Sequence, residues 1–402
     1  MFQRDLVRPP RLWTSTDGER DRHATWLELF YDLAFVAAVA QLSHRLSGDY
    51  TLRGLVDFVA LFVPVWWGWT GHTFYLTRFD SDDLIHRLLA LGQIAAVAVL
   101  AVHINRGLED QSAEFALSYV VLRLILIVEY QRAGHYIPKV RPLVQRYCLG
   151  FGVAALLWTI SAFVPPPWRF MLWLVGVLVD FAAPLSSSRL HIQFPPHVMH
   201  LPERFGLFTI IVLGEAMVLA ITGMGSAAMT PYAGLMAWCG LLVAFCLWWG
   251  YFNGVRGSEF RTLNTLDDVQ KYLRWIYIHL PLTMSIVIAG VGIHAVILEQ
   301  PWTPVGVDCG WMVTGSAAVA MVCLHVIFMA SPGLLVTPQV QRFLQPHMAI
   351  IVLIALAGAL TGLCSGGTLL LIVTAAWITQ VLLTLREVGP PEPGEGAASY
   401  IG

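Results

Sequence analysis

The sequence predicts an all-α polytopic membrane protein of about 12 transmembrane helices arranged as two parallel six-helix repeats. Three observations lead there. First, 57% of the 402 residues are hydrophobic and only 12% are charged, far below the charged share of an ordinary soluble domain. Second, apolar windows of spanning length recur along the whole chain. Third, Lys and Arg alternate in density from one connection to the next, as topology requires.

The windows place spans near 25–46, 54–77, 84–104, 113–133, 142–164, 167–187, 201–223, 231–253, 271–297, 310–330, 341–363 and 366–386. The chain then divides into a cytoplasmic N-terminal arm (1–24), a first six-helix repeat (25–187), a cytoplasmic linker (188–200) and a second repeat (201–386). The tail 387–402 is rich in Pro and Gly and reads as disordered. Residues 1–24 are polar and lack the apolar core of a cleavable signal peptide. The first span is therefore read as an uncleaved anchor.

Basic residues crowd before span 1, in the even-numbered connections and after span 12, whereas only Arg45, Arg53, Arg106 and Arg169 fall on the other side. Both termini are accordingly placed in the cytoplasm. Net charge is close to neutral at −2, so no nucleic acid or other polyanion partner is implied. The expected partners are the lipid bilayer and a small-molecule or ion substrate of unknown identity. The six Cys show no metal-ligand spacing, and no cofactor is predicted. Cys148, Cys239, Cys246 and Cys323 read as packing residues. Cys309 and Cys364 lie near span ends on one side, which leaves a pairing between them open.

The two halves match at four places in the same order. "ELFYDLAFVAAVA" (28–40) aligns with "ERFGLFTIIVLGE" (203–215), and "VWWGW" (65–69) with "LWWGY" (247–251). "DDLIHRLL" (82–89) aligns with "DDVQKYLR" (267–274), and "VQRY" (144–147) with "VQRF" (340–343). Six spans per repeat make both halves enter the membrane the same way, which implies a pseudo-twofold axis along the membrane normal.

Ionisable side chains inside spans are costly and mark function or pairing. Glu28 and Asp32 lie four residues apart and share a helix face. Glu28 is close to the cytoplasmic entry of span 1, where a carboxylate favours the helix dipole; Asp32 is a turn deeper and needs a cation or water. Arg204 and Glu215 share a face of span 7, about three turns apart, while Glu203 points about 100° away. Arg204 is the candidate partner of Asp32 across the repeat. Asp180 lies roughly 10 Å from the cytoplasmic end of span 6 at 1.5 Å per residue, and Arg123 is inside span 4. His72, Glu129, His279, His325 and His347 fall in the same cytoplasmic half, the histidines being read singly as core residues. His86, His135, His191, His197 and His200 are placed in cytoplasmic loops.

At "TWLELFYDLAFVAAVAQL" (25–42) and "HLPERFGLFTIIVLGEAM" (200–217) the chain resembles the bacterial low temperature requirement A family, LtrA. That family carries an E-L-F-[FY]-D-L-x-F-V element in its first span and an E-R-x-G-L-F-T-[IL]-[IV]-x-L-G-E element near mid-chain. The resemblance runs from about residue 20 to 388, and the family's charged positions fall on Glu28, Asp32, Glu203, Arg204 and Glu215. It implies a multi-pass bacterial plasma-membrane protein. Where the family usually has His after the Arg, this chain has Phe205, and His200 one turn earlier offers a replacement imidazole. The family name records a phenotype and leaves the activity open.

Two functions compete. One is a secondary transporter or ion-coupled carrier in which Asp32, Asp180 and Glu215 change protonation, with Arg204 or Arg123 holding an anion. The other is an integral membrane enzyme with a cytoplasm-facing carboxylate and histidine pocket for a lipid-like substrate. No HExxH motif, histidine-box series or serine nucleophile elbow is present. The candidate substrate- or ion-binding residues are Glu28, Asp32, Asp180, Glu203, Arg204, Glu215 and Arg123; catalytic and metal-ligating residues are not assigned.

Overall fold

The computed structural model describes residues 7–13, 24–197, 200–227, 230–255, 263–299, 301, 303–330, 356 and 362–387. The first group of helices comprises α1 (Trp26–Gly48), α2 (Leu52–Leu76), α3 (Leu84–His103), α4 (Ser112–Tyr136), α5 (Arg141–Ala162) and α6 (Trp168–Leu185). A short α7 (Ser188–Gln193) leads to α8 (His200–Ser226), α9 (Pro231–Val255), α10 (Leu266–Leu298), α11 (Val307–Ala330) and α12 (Gly366–Glu387). Nine helices among the described residues are long and apolar enough to cross a membrane. The helix α4 falls short of that measure because Glu114, Arg123, Glu129 and Arg132 interrupt it, and the apolar stretch of α12 ends at Leu382. The expected span 341–363, with Arg342 and His347, lies outside the described residues except at 356, 362 and 363, and the expected disordered tail 387–402 does so except at Glu387.

The helices carry their polarity inside out. On α1, Phe30, Leu33 and Val36 are exposed, whereas Glu28 and Asp32 are buried beside Phe35. On α6, Met171, Leu174, Val175 and Leu178 face outward while Asp180 is fully buried. Apolar side chains pointing outward suit lipid, and polar groups then have to find partners within the bundle. Together with the spanning helices this makes the chain a multi-pass membrane protein.

Neighbours in sequence pack as neighbours in space: α3 on α4, α4 on α5, α5 on α6, then α8 on α9 and α10 on α11. The two groups meet where α1 and α2 lie against α8 and α10. The 33-residue α10 is the most enclosed helix, with 72% of its spanning window buried. It approaches α8 closely at Gly290, where a Cβ would stand 2.8 Å from the Ala216 Cα. Aromatic rings fill the seam. Trp67 of α2 stacks on Phe181 of α6 at 4.0 Å and on Tyr277 of α10 at 5.7 Å. Phe205 of α8 lies between Trp69 (5.0 Å) and Trp275 (5.2 Å).

Local signals set the helix starts. Thr25 caps α1 through Glu28 N, Asp83 caps α3 through His86 N, and Thr265 with Asp268 forms a capping box on α10. The aligned residues Asp83 and Asp268 therefore occupy different places, N-cap in one helix and third position in the other. Asp83 also accepts from Arg132 Nη2 at 2.6 Å and from Arg8 N at 3.1 Å. Burial works against ionisation of this carboxyl, but the Arg132 donors and the His86 and Arg8 amides bring it below the usual range.

Part of the N-terminal arm is ordered by pairing. Arg11–Leu12 (β1) runs antiparallel to Phe79–Asp80 (β2), and Trp13 N donates to Arg78 O at 3.0 Å. The expected linker 188–200 contains α7, which packs on α10. His191, placed in a loop by its sequence context, is fully buried there. All six cysteines are free thiols, so Cys309 and Cys364 do not pair.

Arg78 fixes the tautomer of His191. The guanidinium donates from Nη2 to His191 Nδ1 at 2.8 Å, so Nδ1 must accept, and Nε2 must carry the proton it gives to Pro184 O at 3.0 Å. Burial and the Arg78 charge hold the imidazole down to about 3. In the unfolded chain it titrates near the ordinary ~6.5. Between these values only the unfolded chain takes the proton, so stability is full above about pH 6.5 and falls as pH drops below it. The expected slope from this one group is at most about 1.4 kcal/mol per pH unit. His191→Gln keeps an acceptor and a donor without a titrating ring. It should flatten the acid limb of a melting-temperature series between pH 7 and pH 5 in detergent.

Candidate functional site: buried ion pairs at the seam

Asp32 and Arg204 form the central contact between the helix groups. Arg204 Nη1 donates to Asp32 Oδ2 at 2.8 Å and Nη2 to Oδ1 at 2.7 Å. This is the bidentate geometry in which a guanidinium matches a carboxylate best. Trp69 Nε1 donates to Oδ1 at 2.8 Å, and the guanidinium carbon lies 5.9 Å from the Trp69 ring centre. Arg204 is fully buried and Asp32 is 3% exposed.

One turn toward the helix start, Glu28 extends the pair. Its Oε2 lies 2.8 Å from His200 Nε2 and 3.7 Å from Arg204 Nε, while Oε1 accepts from Thr25 Oγ1 at 3.2 Å. Glu203 is more exposed; it accepts from Ala24 N at 3.0 Å and lies 3.5 Å from His200 Nδ1. His200, placed in a loop by its sequence context, opens α8 and is fully buried. Phe205 supplies aromatic packing at its position, and the imidazole that meets Glu28 comes from His200.

The other expected site residues fall into two further places. Arg123 Nε lies 3.1 Å from Asp180 Oδ2, joining α4 to α6. Tyr119 Oη donates to the same Asp180 oxygen at 2.5 Å and accepts from Arg123 Nε and Nη2 at 2.9 and 2.6 Å. Glu215 is half-buried and accepts from Ser43 Oγ of α1. Arg204 and Glu215, on one face of α8, thus both turn toward α1.

A further polar cluster gathers side chains that the sequence does not connect. Glu129 of α4 accepts from Gln93 Nε2 at 2.9 Å, and its Oε2 lies 3.2 Å from His72 Nδ1. Its other oxygen is 3.5 Å from His86 Nδ1. Tyr31 Oη of α1 donates to Gln93 Oε1 at 3.1 Å. His86, expected in a cytoplasmic loop, belongs to the first turn of α3 and is 4% exposed. Each of these residues looks like an isolated polar interruption of an apolar run. His72, His86 and Glu129 come from three helices, so no spacing rule links them. By contrast, His279 is the satisfied core histidine expected of it, between Tyr251 Oη at 3.0 Å and Trp275 O at 2.6 Å.

One packing signal does point at Arg123. A Cβ at Gly71 of α2 would stand 2.6 Å from Arg123 Nη1 and 2.8 Å from Leu126 Cδ2. The guanidinium is pinned by Asp180 and Tyr119 and cannot swing away cheaply. Gly71→Ala should therefore displace it and lower thermal stability. Arg123→Gln leaves the buried Asp180 carboxylate with Tyr119 but without its cation, a loss of about 3–5 kcal/mol. Adding Asp180→Asn to Arg123→Gln should recover much of that loss. Melting temperatures of the three variants in one detergent check the order.

In comparison with known proteins, the chain is 25% identical over 299 residues to an uncharacterized protein of Rhizobium meliloti (strain 1021). The match covers 70% of this chain and 71% of that protein. No solved structure matches. The family model of the bacterial low temperature requirement A protein (LtrA) matches residues 23–385. With the E-L-F-Y-D and E-R-F-G-L-F-T elements facing each other through Asp32 and Arg204, the chain belongs to the LtrA family.

Proposed function

We propose that this chain is a secondary carrier of the bacterial plasma membrane, with two six-helix repeats that move against each other and both termini in the cytoplasm. The observation that carries the reading is the placement of the Asp32–Arg204 pair. It is buried, and it joins the first helix of one group to the first long helix of the other. In a carrier, the contact between moving halves has to be strong enough to close and replaceable enough to open. An ion pair meets both needs. A carboxylate or another small anion can take the place of Asp32 at Arg204, presenting the same planar acceptor edge. Trp69 then supplies a further donor and an aromatic wall.

The auxiliary groups fit this role. Glu28 and His200 flank the pair on the side where α1 and α8 begin. Glu215 and Ser43 lie further along the same two helices. A solute moving between α1 and α8 would meet polar groups in succession, with the aromatic rings around Phe205 to one side. Arg123 and Asp180 are tied within the first group and serve as a fixed brace in this scheme.

The test separates folding from transport. Full-length protein in proteoliposomes is given a pH gradient and a panel of inorganic phosphate and small carboxylates, with charge movement recorded on a supported membrane. Asp32→Asn and Arg204→Gln should each abolish solute-dependent current. Arg204→Gln leaves the Asp32 carboxylate buried without its cation at a stability cost of about 3–5 kcal/mol, and Asp32→Asn, which leaves Arg204 the longer contact with Glu28, costs less. The double variant should recover stability without recovering current. An Asp32→Asn protein that still carries current would remove the pair from the mechanism. Glu28→Gln, which keeps a hydrogen-bonding amide near the membrane surface, should retain most of the flux.

A further inference from the structure

We propose that Glu129, flanked by His72 and His86, is a proton-binding site distinct from the Asp32–Arg204 pair. Charge balance in the interior leads to it. Asp32 is neutralised by Arg204 and Asp180 by Arg123. Adding a proton to Asp180 would leave an unbalanced guanidinium in a buried place, and at the seam Arg204 already meets the Asp32 and Glu28 carboxylates. Glu129 differs. Among the described residues its ionic contacts are two imidazoles, His72 Nδ1 at 3.2 Å and His86 Nδ1 at 3.5 Å. With both rings neutral the cluster carries one buried negative charge, and one proton brings it to zero. Burial therefore favours proton uptake here and opposes it at the Asp180–Arg123 pair.

The hydrogen-bond geometry has room for that proton. Glu129 Oε1 and His86 Nδ1 are buried, 3.5 Å apart, and neither makes a hydrogen bond among the described residues. A proton on His86 Nδ1, reached by tautomer exchange or by uptake, would give this oxygen a donor. On the other side, His72 Nδ1 is within reach of both Glu129 Oε2 and Gln93 Nε2, at 3.2 and 3.1 Å. Gln93 is oriented by Tyr31, which donates to its Oε1, so its amide nitrogen faces the carboxylate and the ring. His72 can thus donate to Glu129 or accept from Gln93 without any heavy atom moving. The rings of His72 and His86 lie 6.2 Å apart and nearly parallel, at 10°.

The surrounding charged groups already have partners. On α4, Arg132 is held by Asp83 at the start of α3 and Arg123 by Asp180. Next to α2, Arg78 is held by the Phe74 and Phe194 carbonyls and His191. Tyr75 faces the His86 ring at 6.4 Å and shares a hydrogen bond with Ser81. On α1, the Tyr31 ring lies against His72 at 4.3 Å with the planes tilted by 40°, and Tyr31 is followed directly by Asp32. The link from Tyr31 through Gln93 to Glu129 therefore connects the proton site to the helix that carries the Asp32–Arg204 pair. The purpose given to this proton, coupling uptake to transport, rests on the carrier reading above; the binding itself does not.

The experiment uses the full chain in detergent with histidine labelled at Cε1, followed by carbon NMR from pH 8.5 to 5. His72→Gln and His86→Gln identify the two signals. Both signals should move together as the pH is lowered in the wild type, which should take up about one proton per chain more than Glu129→Gln between pH 8 and 5. Signals of His72 and His86 that stay constant across the range overturn the proposal, and the wild type alone decides this if Glu129→Gln does not fold. Equal proton uptake by wild type and folded Glu129→Gln overturns it as well. A pH-gradient-driven current that Glu129→Gln leaves unchanged would keep the carrier and dismiss this site as its proton site. Coupled titration without any pH-driven current would keep the site and dismiss the carrier.

Discussion

The bidentate contact of Arg204 with Asp32 is the constraint around which the seam is organised. A guanidinium and a carboxylate inside a bundle have no bulk water to fall back on, so each must be met completely by protein. The Trp69 indole N–H, the Glu28 carboxylate and the His200 imidazole gather around the pair for that reason. Those groups come from α1, α2 and α8, so satisfying one pair fixes how three helices cross. The aromatic residues then fill what the polar atoms leave: Phe205 against Trp69 and Trp275, and Trp67 against Phe181 and Tyr277.

The same logic repeats on a smaller scale. Arg123 is met by Asp180 and Tyr119, Arg132 by Asp83, and Arg78 by backbone carbonyls and His191. The Arg78 arrangement uses no carboxylate partner among the described residues. Its charge is spread over the Phe74 and Phe194 carbonyls, a neutral imidazole and the faces of Phe74 and Tyr147. That solution needs α7 in place, because α7 supplies the imidazole and is followed directly by Phe194. A segment that reads as a connector is thereby drawn into the bundle.

Much of this was legible before the structure. Charge four residues apart on one helix face put Glu28 and Asp32 together, and the spacing on α8 put Arg204 and Glu215 on a shared face; both turn toward α1. Such inferences work because they stay within one helix, where the period is fixed. The pairing of Arg123 with Asp180 and the gathering of His72, His86 and Glu129 were not legible. These contacts run between helices, and an apolar sequence gives no record of which face meets which. Misplacing His86, His191 and His200 in loops has one physical cause. Each lies at or near a helix start beside polar residues, and polarity there signals solvent unless partners such as Glu129, Arg78 and Glu28 are known.

The aligned stretches of the two halves carry different side-chain roles. Trp69 and Tyr251 align, yet one donates to a carboxylate and the other meets His279. Glu28 and Glu203 align at the starts of α1 and α8, yet the first is buried and the second is partly open. Asp32 aligns with Leu207, and Arg204 with Leu29, so the two charges of the seam pair each face a leucine at the equivalent place in the other half. A symmetric pair of halves would present either two such contacts or none. With one carboxylate from the first half and one guanidinium from the second, the halves become complementary, and a single lock forms between them. The difference at these two positions gives the first half the acid and the second half the base, and the proposed proton site at Glu129 lies wholly within the first.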